Sequence, residues 1–208
     1  MTQTPDTETK ILEAAYEVFI ENGFDGTRMQ QIADKAGINK ALLHYYFRSK
    51  QLLFNKIFVN AISKFIPNLI SIFMNSELSF FDKIRQFTYQ YIDILSKEPF
   101  IPIFVLSELS RNQNNLLDNF SKTLGQPVKI VKETIKEELQ NEYEKGNIIK
   151  IDIESFMINM LSLCIFPFVA KPIIKIAIFN MNEEAYDKFI EKRKKEVGEF
   201  IINSIKTK

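Results

Sequence analysis

Residues 27–50, TRMQQIADKAGINKALLHYYFRSK, constrain the fold more than any other stretch, because two short helices must fit here on either side of a tight bend. Thr27 is a good N-cap, and Gln30 three residues on completes the T-x-x-Q form of the capping box. Met29, Ile32 and Ala33 then fall on one helical face, and Gly37 tolerates the left-handed conformation that often ends a helix. After the bend Asn39 can cap a second helix, with Leu43 and Phe47 turned inward at i, i+4 spacing, and Ser49 can cap a third. Two capped helices across so short a turn point to a helix-turn-helix, whose second helix enters the DNA major groove.

The charge of this stretch differs from that of the chain. The full sequence carries 27 basic and 26 acidic residues, a net of +1. Residues 28–50 hold Arg28, Lys35, Lys40, Arg48 and Lys50 against Asp34, a local net of +4. Residues 6–25 hold six acids against Lys10, a net of −5. This polarity fits a small phosphate-facing surface on an otherwise neutral protein; an ordinary solvated helical face accounts for it equally well.

The remainder of the chain reads as helix. Asp6 or Thr7 caps a first helix over 6–22, with Ile11, Ala15, Val18 and Phe19 as its apolar stripe, Gly23 at its end and Phe24 anchoring the loop. A fourth helix opens at Ser49-Lys50 and runs past Pro67, which bends it without ending it, because Leu69, Ile70 and Phe73 continue the pattern. Further helices are expected from Ser79 to before Pro99, over 101–110, over 116–146 with an interruption at Gly125-Gln126-Pro127, over 152–178 from an Asp152 or Glu154 cap, and from Asn182 to the C-terminus. No strand alternation competes with these periods. The expected fold is all-α with about nine helices: a three-helix helix-turn-helix domain over 1–50, then a larger helical domain over 51–208.

Composition argues against catalysis. His44 is the only histidine, Cys164 the only cysteine, and the six glycines form no phosphate loop. Neither a histidine-based acid–base set nor a zinc ligand set can be assembled, so an enzyme is not expected, nor a metal or cofactor. A lone cysteine excludes an internal disulfide and suits a reducing compartment. The N-terminus lacks an apolar signal segment, and the most apolar run, 156–170, falls short of the ~20 residues of a membrane span. A cytoplasmic protein is expected.

The run GINKALLHYYFRSKQLLF resembles the signature of the TetR family of bacterial transcription regulators, and ILEAAYEVFIENGFDGTRMQQIADKAG is similar to that family's first helix and its approach to the second. The resemblance covers residues 7–55. In a DNA-reading helix-turn-helix, Thr27 at a helix N-terminus can bind phosphate, and Arg28 and Lys40 can reach phosphate or a guanine edge. Ala41 and Leu42 offer apolar surface to a thymine methyl, and His44 can bond a base edge or phosphate. The resemblance adds Tyr45 and Lys50 as contacts to the DNA backbone. Tyr46 and Phe47 read as core. A Gly often stands in the family where this chain has Ala41, which still fits the groove, and a Tyr where it has His44, a departure that argues against inferring the operator by analogy.

The resemblance also implies that the second domain dimerises and binds an effector. Asn159, Leu163, Phe166 and Phe168, with Phe189, Val197, Phe200 and Ile201 in the last helix, are the expected interface; a monomer's core is the competing reading. Phe65, Leu69, Phe87, Tyr91, Phe104 and Leu161 lie on helices that surround the family's cavity, although aromatics at helical spacing also serve as plain core. Such a lining suits an apolar, drug-like or lipid-like ligand. The expected function is a homodimeric repressor that leaves a palindromic double-stranded operator when its effector binds. Two alternatives stand: an effector-independent DNA organiser whose second domain makes protein contacts, and a small helical carrier or enzyme.

Overall fold

The computed structural model describes the backbone of residues 6–98, 101–102 and 113–207, and their side chains except at 62, 64 and 113–124. Nine helices stand among the described residues, without a strand: α1 Thr7–Gly26, α2 Met29–Ala36, α3 Lys40–Tyr46, α4 Lys50–Met74, α5 Phe80–Lys97, α6 Gln113–Glu144, α7 Ile153–Val169, α8 Lys171–Ala177 and α9 Glu183–Ile205. The chain divides into two compact units, one of residues 1–64 and 99–110, the other of residues 65–98 and 111–208, with one division inside α4. The expected short helix over 101–110 lies outside the described residues from position 103 onward.

Local chemistry starts most helices where the sequence places them. The side chains of Asp6, Asn39, Ser79, Asp152 and Asn182 each accept a backbone N–H in the first turn that follows. Gly23 breaks the regular course of α1 with φ 65°, and Gly37 closes α2 at φ 68° while Ile38 N–H reaches back to Ala33 O at 3.0 Å.

In the first unit, Ile11, Val18 and Phe19 of α1, Ile32 of α2, Leu43 of α3 and Leu53 and Phe54 of α4 are all buried. Phe54 receives the edges or faces of two α1 rings, with centroids 4.8 Å from Phe19 and 4.7 Å from Phe24. Among the described residues, α4 is the one single helix that meets the length and mean hydropathy of a membrane span, yet its Leu53, Phe54, Ile57 and Phe58 are buried in this core.

The second unit packs α5, α6, α7, α9 and the end of α4 around Phe73, Ile84, Ile92, Ile135, Phe156 and Ile202. Gly198 lets α9 approach α5 closely; a Cβ there would stand 2.9 Å from Thr88 Oγ1 and 3.1 Å from Arg85 Cα. Buried Lys83 gives its ammonium to Phe73 O at 3.0 Å and Glu138 Oε1 at 2.5 Å, tying α4, α5 and α6 together.

Two sequence expectations fail here. The helix over 116–146 is not interrupted, because α6 carries Pro127 within it at the loss of one backbone bond. The helix over 152–178 is two helices, α7 and α8, which meet at Ala170 at an angle of 74°. Pro167 has no N–H for the Leu163 carbonyl, and α7 ends two residues on, which strands the Pro167 carbonyl as well. The last helix supplies both donors: Arg193 donates to Leu163 O at 3.2 and 2.7 Å, and Tyr186 donates to Pro167 O at 3.1 Å. The break is therefore built in and satisfied.

Candidate nucleic-acid interface

α3 is short and two-sided. Leu43 is fully buried and Phe47, its C-cap, nearly so, while Lys40, Ala41, His44 and Tyr45 are exposed and Leu42 is half-buried. Tyr45 is 81% exposed, so its ring contributes nothing to the core of this chain. Tyr46, expected as core, is also exposed, with its ring edge-on to that of Tyr45 at 5.6 Å. It sits one helical step off the buried Leu43–Phe47 face, and the 3.6-residue period carries it outward.

The positive charge narrows once partners are assigned. Lys35 is held by Glu17 at 2.7 Å and Glu21 at 3.0 Å, joining α2 to α1. Lys50 donates to Phe24 O at 2.7 Å and Thr27 O at 2.8 Å. Arg28, Lys40 and Arg48 are exposed, and their side chains have no acidic partner among the described residues. These three cations carry the unpaired positive charge around α2 and α3, and His44 is exposed beside them. Arg48, just past the α3 C-cap, counts in the local charge but is not among the expected contacts, and it is exposed beside them.

Two expected contacts are corrected. Thr27 is not the α2 N-cap: that position is Arg28, whose N–H goes to Gln31 Oε1 at 2.7 Å, so the box is shifted by one residue. The Thr27 side chain is buried, and its hydroxyl lies 2.6 Å from Gly23 O and 3.3 Å from Val18 O. It closes the turn after α1, and its O–H donates to these carbonyls instead of to a phosphate. Lys50 likewise points its ammonium at backbone carbonyls and over the Phe24 ring, 4.5 Å from the centroid, and burial lowers its pKa from the ordinary lysine value.

The second unit sorts its expected residues differently. Asn159, Leu163 and Phe166 of α7 and Phe200 and Ile201 of α9 line one groove of about 450 Å³, with Arg193 beside them. Phe166 and Phe200 are 60% and 64% exposed. Val197 is sealed in the core and cannot join a surface, while Phe168 and Phe189 are half-buried and pack against that core. Of the expected pocket residues, Leu69 and Phe87 belong to the core, Phe65 and Tyr91 are half-buried, and the Phe87 and Tyr91 rings lie 5.6 Å apart. Leu161 is exposed on α7, because the positions that face inward are Phe156, Met160 and Cys164. Phe104 lies outside the described residues. Burial pushes the Cys164 thiol up to about 12, so it is inert at neutral pH.

Comparison with known proteins bears on this surface directly. Residues 11–57 match the model of the bacterial regulatory proteins of the tetR family. The chain is similar to IcaR of Staphylococcus aureus (strain Newman), a negative transcriptional regulator of the biofilm operon icaADBC, with 29% identity over 148 residues, 71% of this chain and 74% of that protein. It is similar to YttP of Bacillus subtilis, a probable HTH-type transcriptional regulator, with 25% identity and 86% of each chain covered. Its fold is like that of Bacillus subtilis FadR in complex with stearoyl-CoA, at TM-score 0.66 and 18% identity over 93% of this chain and 96% of that one. A linker-substituted form of HlyIIR gives TM-score 0.65 and 22% identity over 97% and 96%. The helix-turn-helix segment thus matches the bacterial regulatory proteins of the tetR family over residues 11–57, most of the chain is similar to the regulators IcaR and YttP, and its fold is like that of HlyIIR.

Proposed function

We infer that the chain is a cytoplasmic repressor that binds a palindromic operator as a homodimer and leaves it when a small apolar effector binds the second unit. The observation that carries this reading is the face of α3, where Lys40, Ala41, His44 and Tyr45 are exposed while Leu43 on the opposite face is buried. A seven-residue helix covers too little DNA for a specific site. Two copies reading half-sites one turn apart, roughly 34–36 Å, supply the missing surface. The exposed Phe166 and Phe200 beside the α7–α9 groove support a second copy there. The naming of IcaR as a negative regulator supports repression. The stearoyl-CoA held by FadR supports an effector with an apolar chain on this fold.

Because α4 runs unbroken from Lys50 to Met74, it serves as the lever in this mechanism. The effector binds the DNA-incompetent shape more tightly, displaces the α4 N-terminus, and alters the separation of the two recognition helices. The test is a titration of a fluorescent operator fragment in the presence of apolar compounds that raise the protein's melting temperature. A bound compound should weaken operator affinity by ten-fold or more. Binding without any such change overturns the effector mechanism, and protein that binds no DNA overturns the whole reading. The burial of Leu69 and Phe87 favours one competitor, a DNA organiser with a sealed second unit, which the first of these outcomes would support.

A further inference from the structure

Residues 27–50 close on themselves. Their last residue, Lys50, donates to the carbonyl of their first, Thr27, at 2.8 Å. The reason lies in the corner between α1 and α2. Gly23 departs from helical geometry, and Thr27 takes φ −76° and ψ 131°, which turns its carbonyl out of line with α2. Arg28 N–H, which would meet Phe24 O in an uninterrupted helix, goes instead to Gln31 Oε1. Lys50 Nζ takes up Phe24 O at 2.7 Å together with Thr27 O, and its charge rests over the Phe24 ring. That ring is itself edge-on to Phe54 of α4. The first turn of α4 is thus bonded to the residue just before α2, and α3 lies in the chain between these two fixed ends.

We propose that Lys50 is a positioning residue for operator binding, which holds the α1–α2 corner against the start of α4 so that α3 is presented in register, and that it is not a ligand of phosphate. The inference rests on the DNA-binding reading above. It extends that reading, because the same bond makes the α4 N-terminus and the start of α2 move together when α4 is displaced.

Salt dependence separates the two roles. Removing one phosphate ligand makes the slope of log affinity against log salt shallower by about one, whereas removing a positioning bond lowers affinity equally at all salt concentrations. Operator affinity is measured per folded protein, judged by near-UV circular dichroism, across a potassium chloride series. Lys50→Met should lose at least ten-fold at every concentration with the wild-type slope retained. Lys50→Arg, which can reach both carbonyls, should restore most of the affinity. Arg48→Ala, the comparison variant, should show the shallower slope. A slope in Lys50→Met reduced by about one, or an affinity equal to wild type, overturns the proposal. If Lys50→Met does not fold, Lys50→Gln is read in the same way; failure of both to fold also overturns it, since Lys50 would then be a folding residue. Wild-type protein that binds no operator defeats the DNA-binding reading instead, a distinct result.

Discussion

Replacing Lys83 by methionine removes a cation that the second unit holds almost entirely out of water. Lys83 is 4% exposed, and its ammonium is shared between Glu138 Oε1 and Phe73 O. Glu138 Oε2 is buried with no hydrogen-bond partner, so the carboxylate depends on the lysine charge. Methionine keeps the packing of the stem but leaves a buried anion and an undonated carbonyl. Breaking a buried pair in this way costs about 3–5 kcal/mol. The Glu138 side chain retains 21% exposure, which places the loss near the lower end, about 3 kcal/mol. Removing both charges in Lys83→Met/Glu138→Leu leaves only the Phe73 carbonyl without its donor, a loss of about 1–2 kcal/mol. The double mutant should thus be more stable than Lys83→Met alone. The assay is urea unfolding followed by far-UV circular dichroism at one fixed protein concentration, because a dimer couples stability to concentration. A single-mutant loss below about 1 kcal/mol, or strictly additive effects, would refute the reasoning.

Gly198→Ala forces a Cβ against Thr88 Oγ1 and the Arg85 backbone and should cost about 1–3 kcal/mol in the same assay; an unchanged urea midpoint would contradict the close α5–α9 approach. Arg193→Met should cost about 1–2 kcal/mol by stranding the Leu163 carbonyl, and much less in a Pro167→Ala background, where the restored N–H can serve that carbonyl. Equal costs in both backgrounds would contradict that account. Lys171 and Lys175 pull the Glu183 carboxyl down from 4.5 to about 2. A depressed carboxylate stabilises the fold above its ordinary range, and that contribution fades as pH falls from 4.5 towards 2. A carboxyl NMR titration of Glu183 with its midpoint near 4.5 would rule out this tether between α8 and α9.

What the sequence made legible was local chemistry. Asp6, Asn39, Asp152 and Asn182 are recognisable as caps because a side-chain oxygen meets an N–H three residues away, and nothing distant competes. Thr27 misleads because its hydroxyl has a competing use: it donates to the carbonyls of Gly23 and Val18. Lys50 misleads for the same kind of reason, since its partners are more than twenty residues back in the chain. The α3 face is readable from period alone, apart from Tyr46, an aromatic in an apolar run that imitates a core position. In the second unit the apolar run over 152–178 conceals a break that Pro167 and Pro172 together announce. Whether an apolar residue of that run faces core or solvent depends on helices far away in sequence. Leu161 and Phe166 therefore lie outside while Val197 lies inside. Gly198 carries no local signal, because its value lies in the distance to α5.

The central claim is that α3 of two copies reads one operator. Genomic fragments captured by the wild-type protein should share a palindrome, and titration of one such fragment should end at two protomers per duplex with half-site centres about one turn apart, roughly 34–36 Å. Lys40→Ala and Tyr45→Ala should each weaken that binding about ten-fold, on the order of 1–3 kcal/mol, while the helical circular dichroism spectrum is unchanged. Capture of dispersed fragments with no shared motif, or affinity unaltered in both variants at fixed salt, would contradict the account.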